Sequence, residues 1–322
     1  MSQITRREFV KGALVVGTST FLPGCQPTGP ASTPTVAVPT ATPKPAPTAT
    51  PVPDQSAYLA AVRGADPAAV TERALAVIGG MERFVKSGYD VIIKPNICNA
   101  NHGPEYASTT NPVVVATLVK LALGAGAKRV RVMDAPFSGS PQSAYAISGV
   151  GDAVEAAGGQ MEVMRPRYSE VAIPDGVDLK KWSFYEPVLD ADLVINVPIA
   201  KHHSLAGLTL GAKNLMGVIQ NRPAMHRNLG QRIADLASLV RPQLTVVDAV
   251  RMLMANGPTG GNLDDVKLAN TVIASHDIVA ADAYAATLFD KRPDQIGYIA
   301  AGDAMGLGTL DLSSIQIAEL SL

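Results

Sequence analysis

Residues 201–217, which read KHHSLAGLTLGAKNLMG, gather side chains that could hold a small anion and act on it. They follow DLVINVPIA at positions 192–200, an apolar run typical of a buried strand. The chain has five histidines and 17% charged residues, so two lysines, two histidines and an asparagine are an unusual mixture for a purely structural loop. Such clustering at one strand end indicates a functional site.

The candidate catalytic residues are the basic and amide side chains of this segment and its continuation: Lys201, His203, Lys213, Asn214 and His226. If residues 201–203 are extended, neighbouring side chains point to opposite sides, so we expect the first and third of them to share a face. The lysines would neutralise a carboxylate or phosphate, and the asparagine would position it. Either histidine would serve as a general acid or base near neutral pH.

A metal site is the alternative for the same segment. His203, His226 and Asp248 together form a ligand set that suits zinc or iron. The nearby lysines oppose this alternative, because positive charges repel a cation. The sequence therefore leaves the cofactor unidentified, with a divalent metal as one option.

Further candidate binding residues lie at the ends of other predicted strands and in a glycine-rich loop: Lys94, Asn96, Asp248, Gly257 and Gly260. In parallel α/β sheets, ligands bind outside the carboxyl ends of the strands. The loop NGPTGGN at positions 256–262 lacks the lysine and the following helix of a P-loop. We interpret it as a turn whose amides could also bind an anion.

Short apolar runs alternate with helical patterns after Tyr89. The predicted strands are Asp90–Lys94, Arg129–Asp134, Met161–Met164, Asp192–Val197, Leu244–Asp248, Thr271–Ser275 and Ser314–Glu319. The predicted helices are Pro67–Val85, Pro112–Leu123, Pro141–Ala157, Gly230–Val240 and Asp277–Asp290. This alternation predicts an α/β fold in which a mostly parallel sheet carries helices on both faces, with Rossmann-like layering.

The N-terminal part of the chain has the pattern of an export signal followed by a linker. Residues 1–24 contain TRREFVK, which resembles a twin-arginine signal, and LPGC resembles a lipoprotein cleavage box ending at Cys25. The apolar stretch of this signal is about half as long as a membrane-spanning helix. Residues 25–53 are rich in Pro, Thr and Ala and predict a flexible, extended linker. We expect an exported protein held by lipidated Cys25 on the outer face of the cytoplasmic membrane or its periplasmic side.

Composition limits what residues 54–322 can be. This segment is long enough for a single α/β domain. The formal charge of the chain is −1, and the signal removes three basic and one acidic residue, which leaves about −3 and argues against a nucleic-acid partner. Once Cys25 is lipidated, Cys98 is the one cysteine left, so an intramolecular disulfide and any four-cysteine zinc or iron–sulfur site are excluded. We interpret Cys98 as a packed loop residue.

Eight segments, in order, resemble the domain-of-unknown-function family 362: IIKPN, TTNPVVVATLVKLALGAGAKRVRVMD, LVINVPIAKHH, LTLGAKNLMGV, RPAMH, VVDA, NGPTGG and VAADAYA. The family pattern falls here on Lys94, Asn96, Lys201, His203, Lys213, Asn214, Gly217, His226, Asp248, Gly257, Pro258 and Asp282. The resemblance implies a single α/β domain and supplies no established reaction. Many members carry ferredoxin-type cysteine clusters, but this chain lacks those cysteines, so we expect no iron–sulfur cluster.

Three classes of function fit these observations. The favoured one is an exported enzyme that acts on a small anionic substrate or cofactor. The second is a lipoprotein that binds and delivers a solute without chemistry. The third is an interaction module whose polar cluster is structural. Loss of His203 should lower the turnover of an enzyme by about 100-fold but change the affinity of a binding protein modestly.

Overall fold

The computed structural model describes residues 57–322. The predicted signal, the linker and Cys25 lie outside the described residues. The strands are β1 (Leu59–Arg63), β2 (Asp90–Pro95), β3 (Arg129–Val132), β4 (Gln160–Met161), β5 (Tyr168–Ala172), β6 (Lys181–Tyr185), β7 (Leu193–Val197), β8 (Ile199–His203), β9 (Gly207–Thr209), β10 (Leu244–Leu253), β11 (Val266–Ser275) and β12 (Ile317–Ser321). The helices are α1 (Pro67–Val77), α2 (Pro112–Gly124), α3 (Pro141–Ile147), α4 (Val150–Ala156), α5 (Glu186–Asp190), α6 (Gly211–Asn214), α7 (Leu229–Val240), α8 (Ile278–Thr287) and α9 (Gly297–Ala304).

Within residues 57–322, ten strands form one sheet. Its main path runs β12-β1-β11-β10-β7-β2-β3-β4, and β8 pairs with β10 and β9. The pairs β10·β7, β7·β2, β2·β3 and β3·β4 are all parallel, whereas β11 is antiparallel to both of its neighbours. Strands β5 and β6 form a separate antiparallel hairpin. The predicted α/β fold with a mostly parallel sheet is therefore confirmed.

Helices cover both faces of the sheet because the apolar residues of its central strands point alternately to each side. In β2, Ile92 packs into one core and its neighbours Val91 and Ile93 into the other. Helices α1 to α4 contribute to the core around Val91 and Ile93. Helices α7 to α9 contribute to the opposite core, together with the residues that follow β9.

Several predicted boundaries were wrong, each for a local reason. The predicted helix Pro67–Val85 ends at Val77, where Gly79 and Gly80 both have positive φ. The predicted helix Pro141–Ala157 is two helices, because Gly149 adopts φ 68° between them. The predicted strand Met161–Met164 forms ladder pairs only at its first residue.

The strands that the sequence patterns missed are short, amphipathic or without a long apolar run. They are β1, β5, β6, β8 and β9. Among them, β8 follows β7 after one residue, and both strands run parallel to β10, so β10 pairs first with β7 and then with β8. Strand β9 then turns back antiparallel to β8 and leads into α6. This strand–hairpin–helix unit carries the polar cluster.

The start of α6 is held in place by a buried carboxylate of α8. Asp282 accepts the backbone N–H of Gly211 at 2.5 Å and that of Ala212 at 2.9 Å. Burial raises the pKa of Asp282 to about 7, and the two N–H donors oppose that rise. The carboxylate thus supplies acceptors to amides at the first turn of α6, which an isolated four-residue helix leaves unpaired.

Replacing Asp282 by Ala should destabilise the protein. The change leaves the amides of Gly211 and Ala212 buried without an acceptor, so we expect the free energy of unfolding to fall by about 2–4 kcal/mol. Chemical denaturation measures it. The control is Asp152→Ala, at an exposed position where the side chain makes no hydrogen bond within residues 57–322, and it should change stability by less than about 0.5 kcal/mol. Equal effects of the two changes would contradict the capping role.

Candidate functional site

The side-chain amide of Asn214 joins the ends of two parallel strands to α6. Its Oδ1 accepts hydrogen bonds from Lys94 Nζ at 2.9 Å and from Asn96 Nδ2 at 3.0 Å. Its Nδ2 donates to Asn196 Oδ1 at 2.9 Å and to the carbonyl of Lys94 at 3.2 Å. Asn196 in turn donates to the carbonyl of Gly211 at 2.9 Å. Asn214 is 2% exposed, so this amide is a buried connection and not a surface contact.

Lys94 forms a buried ion pair with Asp134, the second residue after β3. Its Nζ lies 2.8 Å from Asp134 Oδ1, and both side chains are almost fully buried. The second carboxylate oxygen accepts the backbone N–H of Ile97 at 2.7 Å. Burial lowers the pKa of Lys94, and the Asp134 carboxylate opposes that shift. Gly217 packs directly against the pair, where a Cβ would overlap Asp134 Oδ1 and Lys94 Nζ.

Lys201 is equally buried but has only neutral acceptors. Its Nζ donates to Asn96 Oδ1 at 2.9 Å and to the carbonyl of Ser108 at 2.7 Å. An ammonium group has three donors, so one N–H of Lys201 remains for a ligand. Thr209 lies opposite Lys201 in the antiparallel β8·β9 ladder, and opposed residues share a face of the sheet. Thr209 Oγ1 and Ser108 Oγ are buried hydroxyls without a hydrogen-bond partner among the described residues.

Lys213 differs from the other two lysines. In residues 57–322 its amine makes no hydrogen bond or ion pair, although the side chain is partly buried. Its pKa is lowered to about 8, first by burial and then by the charges of Lys201 and Arg222. Cys98 opposes this shift, which places the thiol within electrostatic reach of the amine. Lys213 is therefore the candidate lysine that is not held by the protein itself.

The three histidines of the segment have different surroundings. His203 Nδ1 accepts the N–H groups of Leu205 and Ala206 at 3.2 and 3.3 Å, so the proton of the neutral ring lies on Nε2. The pKa of His203 is lowered to about 3 by burial and by the positive charges of Lys213 and Lys201. His203 is thus neutral at pH 7 and suited to donating a hydrogen bond. His226 is exposed, at the end of a 3₁₀ turn.

His202, the other histidine of the segment, contacts the glycine-rich loop at positions 256–262. His202 Nδ1 accepts the N–H of Gly257 at 3.1 Å, on the opposite side of β8 from Lys201 and His203, as the alternation predicts. Gly257 must be a glycine here, because a Cβ would overlap the carbonyl of His202. Gly260 adopts φ 62° in the connection between β10 and β11. The loop is a turn, and it reaches the site through Pro258, whose carbonyl lies 3.5 Å from Cys98 Sγ.

Asp248 stands apart from the lysines. Its carboxylate accepts the backbone N–H of Asn111 at 2.7 Å and that of Val250 at 2.9 Å. Burial raises its pKa to about 6. Among the described residues, no group of three or more His, Cys, Asp or Glu is placed to hold a metal ion, so His203, His226 and Asp248 do not form the ligand set considered above.

Sequence reasoning missed two residues of the site, Asn196 and Tyr168, whereas Asp134 and Arg222 were recognisable from the sequence. Asn196 lies inside β7, and nothing in an apolar strand marks it as a partner of Asn214. Asp134 was recognisable as the last residue of a predicted strand. Arg222 donates to the carbonyl of Ala135 at 2.9 Å and so reaches the loop after β3. Tyr168, on the β5–β6 hairpin, lies within electrostatic reach of Arg222 and Asp134, although burial is the main cause of its raised pKa.

The lysine, histidine and asparagine pattern is shared with a known family. The model of the family described as "Domain of unknown function (DUF362)" matches residues 91–287, which include every one of these side chains. The chain belongs to the DUF362 family. The "Thylakoid-associated protein sll1697" of Synechocystis sp. is 28% identical over 239 residues, which cover 71% of this chain and 72% of that protein.

A solved structure also resembles the DUF362 chain. The lactate racemase apoprotein from Thermoanaerobacterium thermosaccharolyticum superposes with a TM-score of 0.44 and 14% sequence identity. The match covers 70% of this chain and 56% of the racemase, so the chain spans little more than half the length of that protein.

Replacing Gly217 by Ala should disturb the Lys94–Asp134 pair. The added methyl overlaps both charged groups, so we expect the free energy of unfolding to fall by about 1–3 kcal/mol in chemical denaturation. The matched control is Gly124→Ala, at the end of α2, where a Cβ would meet nothing within 4 Å. A Gly217→Ala protein as stable as the control would contradict this prediction and show that the side chains around the pair move to accommodate the methyl group.

Proposed function

We propose that the chain is an exported, membrane-anchored enzyme that acts on a small anionic substrate, a carboxylate or a phosphate, at the site formed by Lys201, Lys213, Asn214, His203 and His226. The observation that carries the proposal is an excess of positive charge. Lys94 has Asp134 as its counter-ion, whereas Lys201, Lys213 and Arg222 have no carboxylate partner within residues 57–322. Buried or partly buried cations without counter-ions favour an anionic ligand.

The role proposed for each side chain follows from how many hydrogen bonds the protein makes to it. Asn214, Asn96 and Lys94 connect strand ends and α6, so they position the other groups. Lys201 offers its third N–H to the anion, and Lys213 offers a whole ammonium group. His203 can donate from Nε2 to an oxygen of the substrate. His226, the exposed histidine, is the group best placed to exchange protons with solvent.

A binding lipoprotein without catalysis is the second candidate. It is favoured by the low pKa of His203, because a ring that stays neutral to about pH 3 is a hydrogen-bond donor and not a general base near pH 7. In that case the cations only hold a solute. The two candidates differ in what His226 does, since a binding protein needs no proton transfer.

The proposed location rests on the N-terminal sequence and on the name of one relative. None of the helices in residues 57–322 combines the length and the apolar character that crossing a bilayer requires. We propose attachment through a lipid on Cys25, and the name "Thylakoid-associated protein" given to the Synechocystis relative is compatible with membrane association. In this chain, the Pro/Thr-rich linker of residues 25–53 would hold the α/β fold away from the membrane surface.

Replacing Lys213 by Met should weaken the binding of small anions. With oxalate or inorganic phosphate as the probe in isothermal titration calorimetry, we expect the dissociation constant to rise about tenfold or more, because one ammonium partner is lost. The control is Lys86→Met at an exposed position, which should leave affinity unchanged. Identical affinities in the three proteins would overturn the role of Lys213 in anion binding.

The same titration should depend on pH. The pKa of Lys213 is about 8, so its charge is present below that value and is lost as the pH rises through it. Oxalate affinity should therefore fall between about pH 7 and 9 in the wild type, and this fall should disappear in Lys213→Met. Oxalate itself stays fully ionised across this range, which leaves the protein as the source of the change.

Replacing Cys25 by Ser should release the protein from membranes. The change removes the thiol that would carry the lipid, so the protein should move from the membrane pellet to the soluble fraction after cell fractionation. The control is Cys98→Ser, which alters the second cysteine and should leave the protein in the pellet. Retention of Cys25→Ser in the pellet would count against lipid attachment at this residue.

A further inference from the structure

The lysines of the site differ in how many fixed acceptors surround each amine. Lys94 Nζ lies within hydrogen-bond distance of Asp134 Oδ1, Asn214 Oδ1 and the carbonyl of Pro95. Lys201 Nζ has two acceptors, Asn96 Oδ1 and the carbonyl of Ser108. Lys213 Nζ has none among the described residues. Acceptors stabilise the ammonium form and occupy its N–H groups, so Lys213 is the lysine whose nitrogen lone pair is most readily available.

The surroundings of Lys213 also favour its neutral form. Burial and the positive charges of Lys201, Arg222 and Lys94 all lower its pKa, and the result is about 8. At pH 7 about a tenth of such amines are uncharged, against roughly 0.03% for an ordinary lysine. A desolvated lysine beside other cations is a known arrangement for amines that attack carbonyl carbons.

The remaining polar groups select a ligand that carries a negative charge beside the reacting atom. Lys201 has a free N–H, and Arg222 has no carboxylate partner in the described part of the chain. Ser108 Oγ, Thr209 Oγ1 and Asn99 Nδ2 are buried polar atoms without a hydrogen-bond partner there. Ser108 and Thr209 both adjoin Lys201, the first through its carbonyl and the second across the β8·β9 ladder. These groups suit a carboxylate, whose two oxygens accept several hydrogen bonds.

We propose that the substrate is a small carboxylate with an adjacent aldehyde or ketone, and that Lys213 binds it covalently as an iminium. The inference rests on the proposed function, since it names the substrate class of the same site. The neutral amine of Lys213 attacks the carbonyl carbon, a C–N bond forms as the C=O π bond breaks, and one proton moves from the nitrogen to the oxygen. A second proton, delivered from solvent through His226, lets the carbinolamine lose this oxygen as water, and the C=N bond forms with the remaining proton still on the nitrogen. Nothing is oxidised or reduced.

The other residues have defined parts in this step. Lys201 and Arg222 hold the carboxylate, and His203 Nε2–H donates to an oxygen of the ligand. His226 is the exposed group that exchanges the protons gained and released when water leaves. An iminium withdraws electrons from the neighbouring carbon, so the chemistry that follows would break a bond to the carbon next to the former carbonyl.

Reductive trapping with glyoxylate, the smallest carboxylate that carries an aldehyde, tests the inference. The purified full-length protein is incubated with glyoxylate and cyanoborohydride, and peptide mass spectrometry locates carboxymethylated lysines. We expect Lys213 to be modified at least ten times faster than exposed Lys86, with a rate that increases as the pH approaches 8. Excess oxalate, which carries the charge but no aldehyde, should suppress the reaction.

The variant Lys213→Arg separates charge from nucleophilicity. It keeps a cation at the position but removes the amine, so it should bind oxalate within about threefold of the wild type and show no trapping at position 213. If the wild type binds oxalate but Lys213 reacts no faster than Lys86, the iminium is overturned and the anion site stands. If the wild type neither binds oxalate nor reacts at Lys213, both proposals fall.

Discussion

The buried amide of Asn214 is the contact on which the site depends. It is a side chain of α6, yet it binds residues from β2 and β7 and the segment after β2. A single amide can do this because it has two donors and an acceptor with two lone pairs, and all of them are used here. Neighbouring parallel strands and the helix that follows the β8–β9 hairpin are therefore fixed relative to one another, and Lys94, Lys201 and Lys213 take their positions from this connection.

The three lysines of the site have different properties because the protein gives each amine a different set of hydrogen-bond acceptors. Lys94 is neutralised by Asp134, Lys201 is charged but bound by neutral oxygens, and Lys213 is left to its cationic neighbours. Three cations so close together oppose folding by mutual repulsion and desolvation. The protein limits this cost by supplying Asp134 to one of them and backbone or amide oxygens to the next. The positive charge that remains without a partner lies at Lys213, where an anionic ligand would neutralise it.

The sequence revealed the fold class and the members of the cluster, but not their connections. Apolar runs such as residues 91–93 alternate with capped helices, and that pattern follows directly from burial on both faces of a parallel sheet. The strand-end rule predicted Lys94, Asn96 and Lys201 as neighbours, and hydrogen bonds through Asn214 and Asn96 connect them. The rule could not exclude Asp248 from the site, because the two backbone amides that occupy its oxygens, one of them distant in sequence, are known only from the fold. Asn196 and the neutral state of His203 likewise depend on contacts across folded segments.

The Asp282 carboxylate at the start of α6 makes the stability of this part of the fold depend on pH. Its pKa of about 7 means that it changes charge within the range in which cells operate. When ionised, it binds the amides of Gly211 and Ala212 through charge-assisted hydrogen bonds, and when protonated it holds them through weaker neutral ones. Burial nevertheless raises the pKa of Asp282 on folding, so the folded state holds this proton more tightly than the unfolded chain does, and the stability that this gives is lost as the pH rises through about 7. At high pH the desolvated Asp282 carboxylate therefore opposes folding next to the helix that carries Lys213, whose amine loses its own charge over a neighbouring pH range.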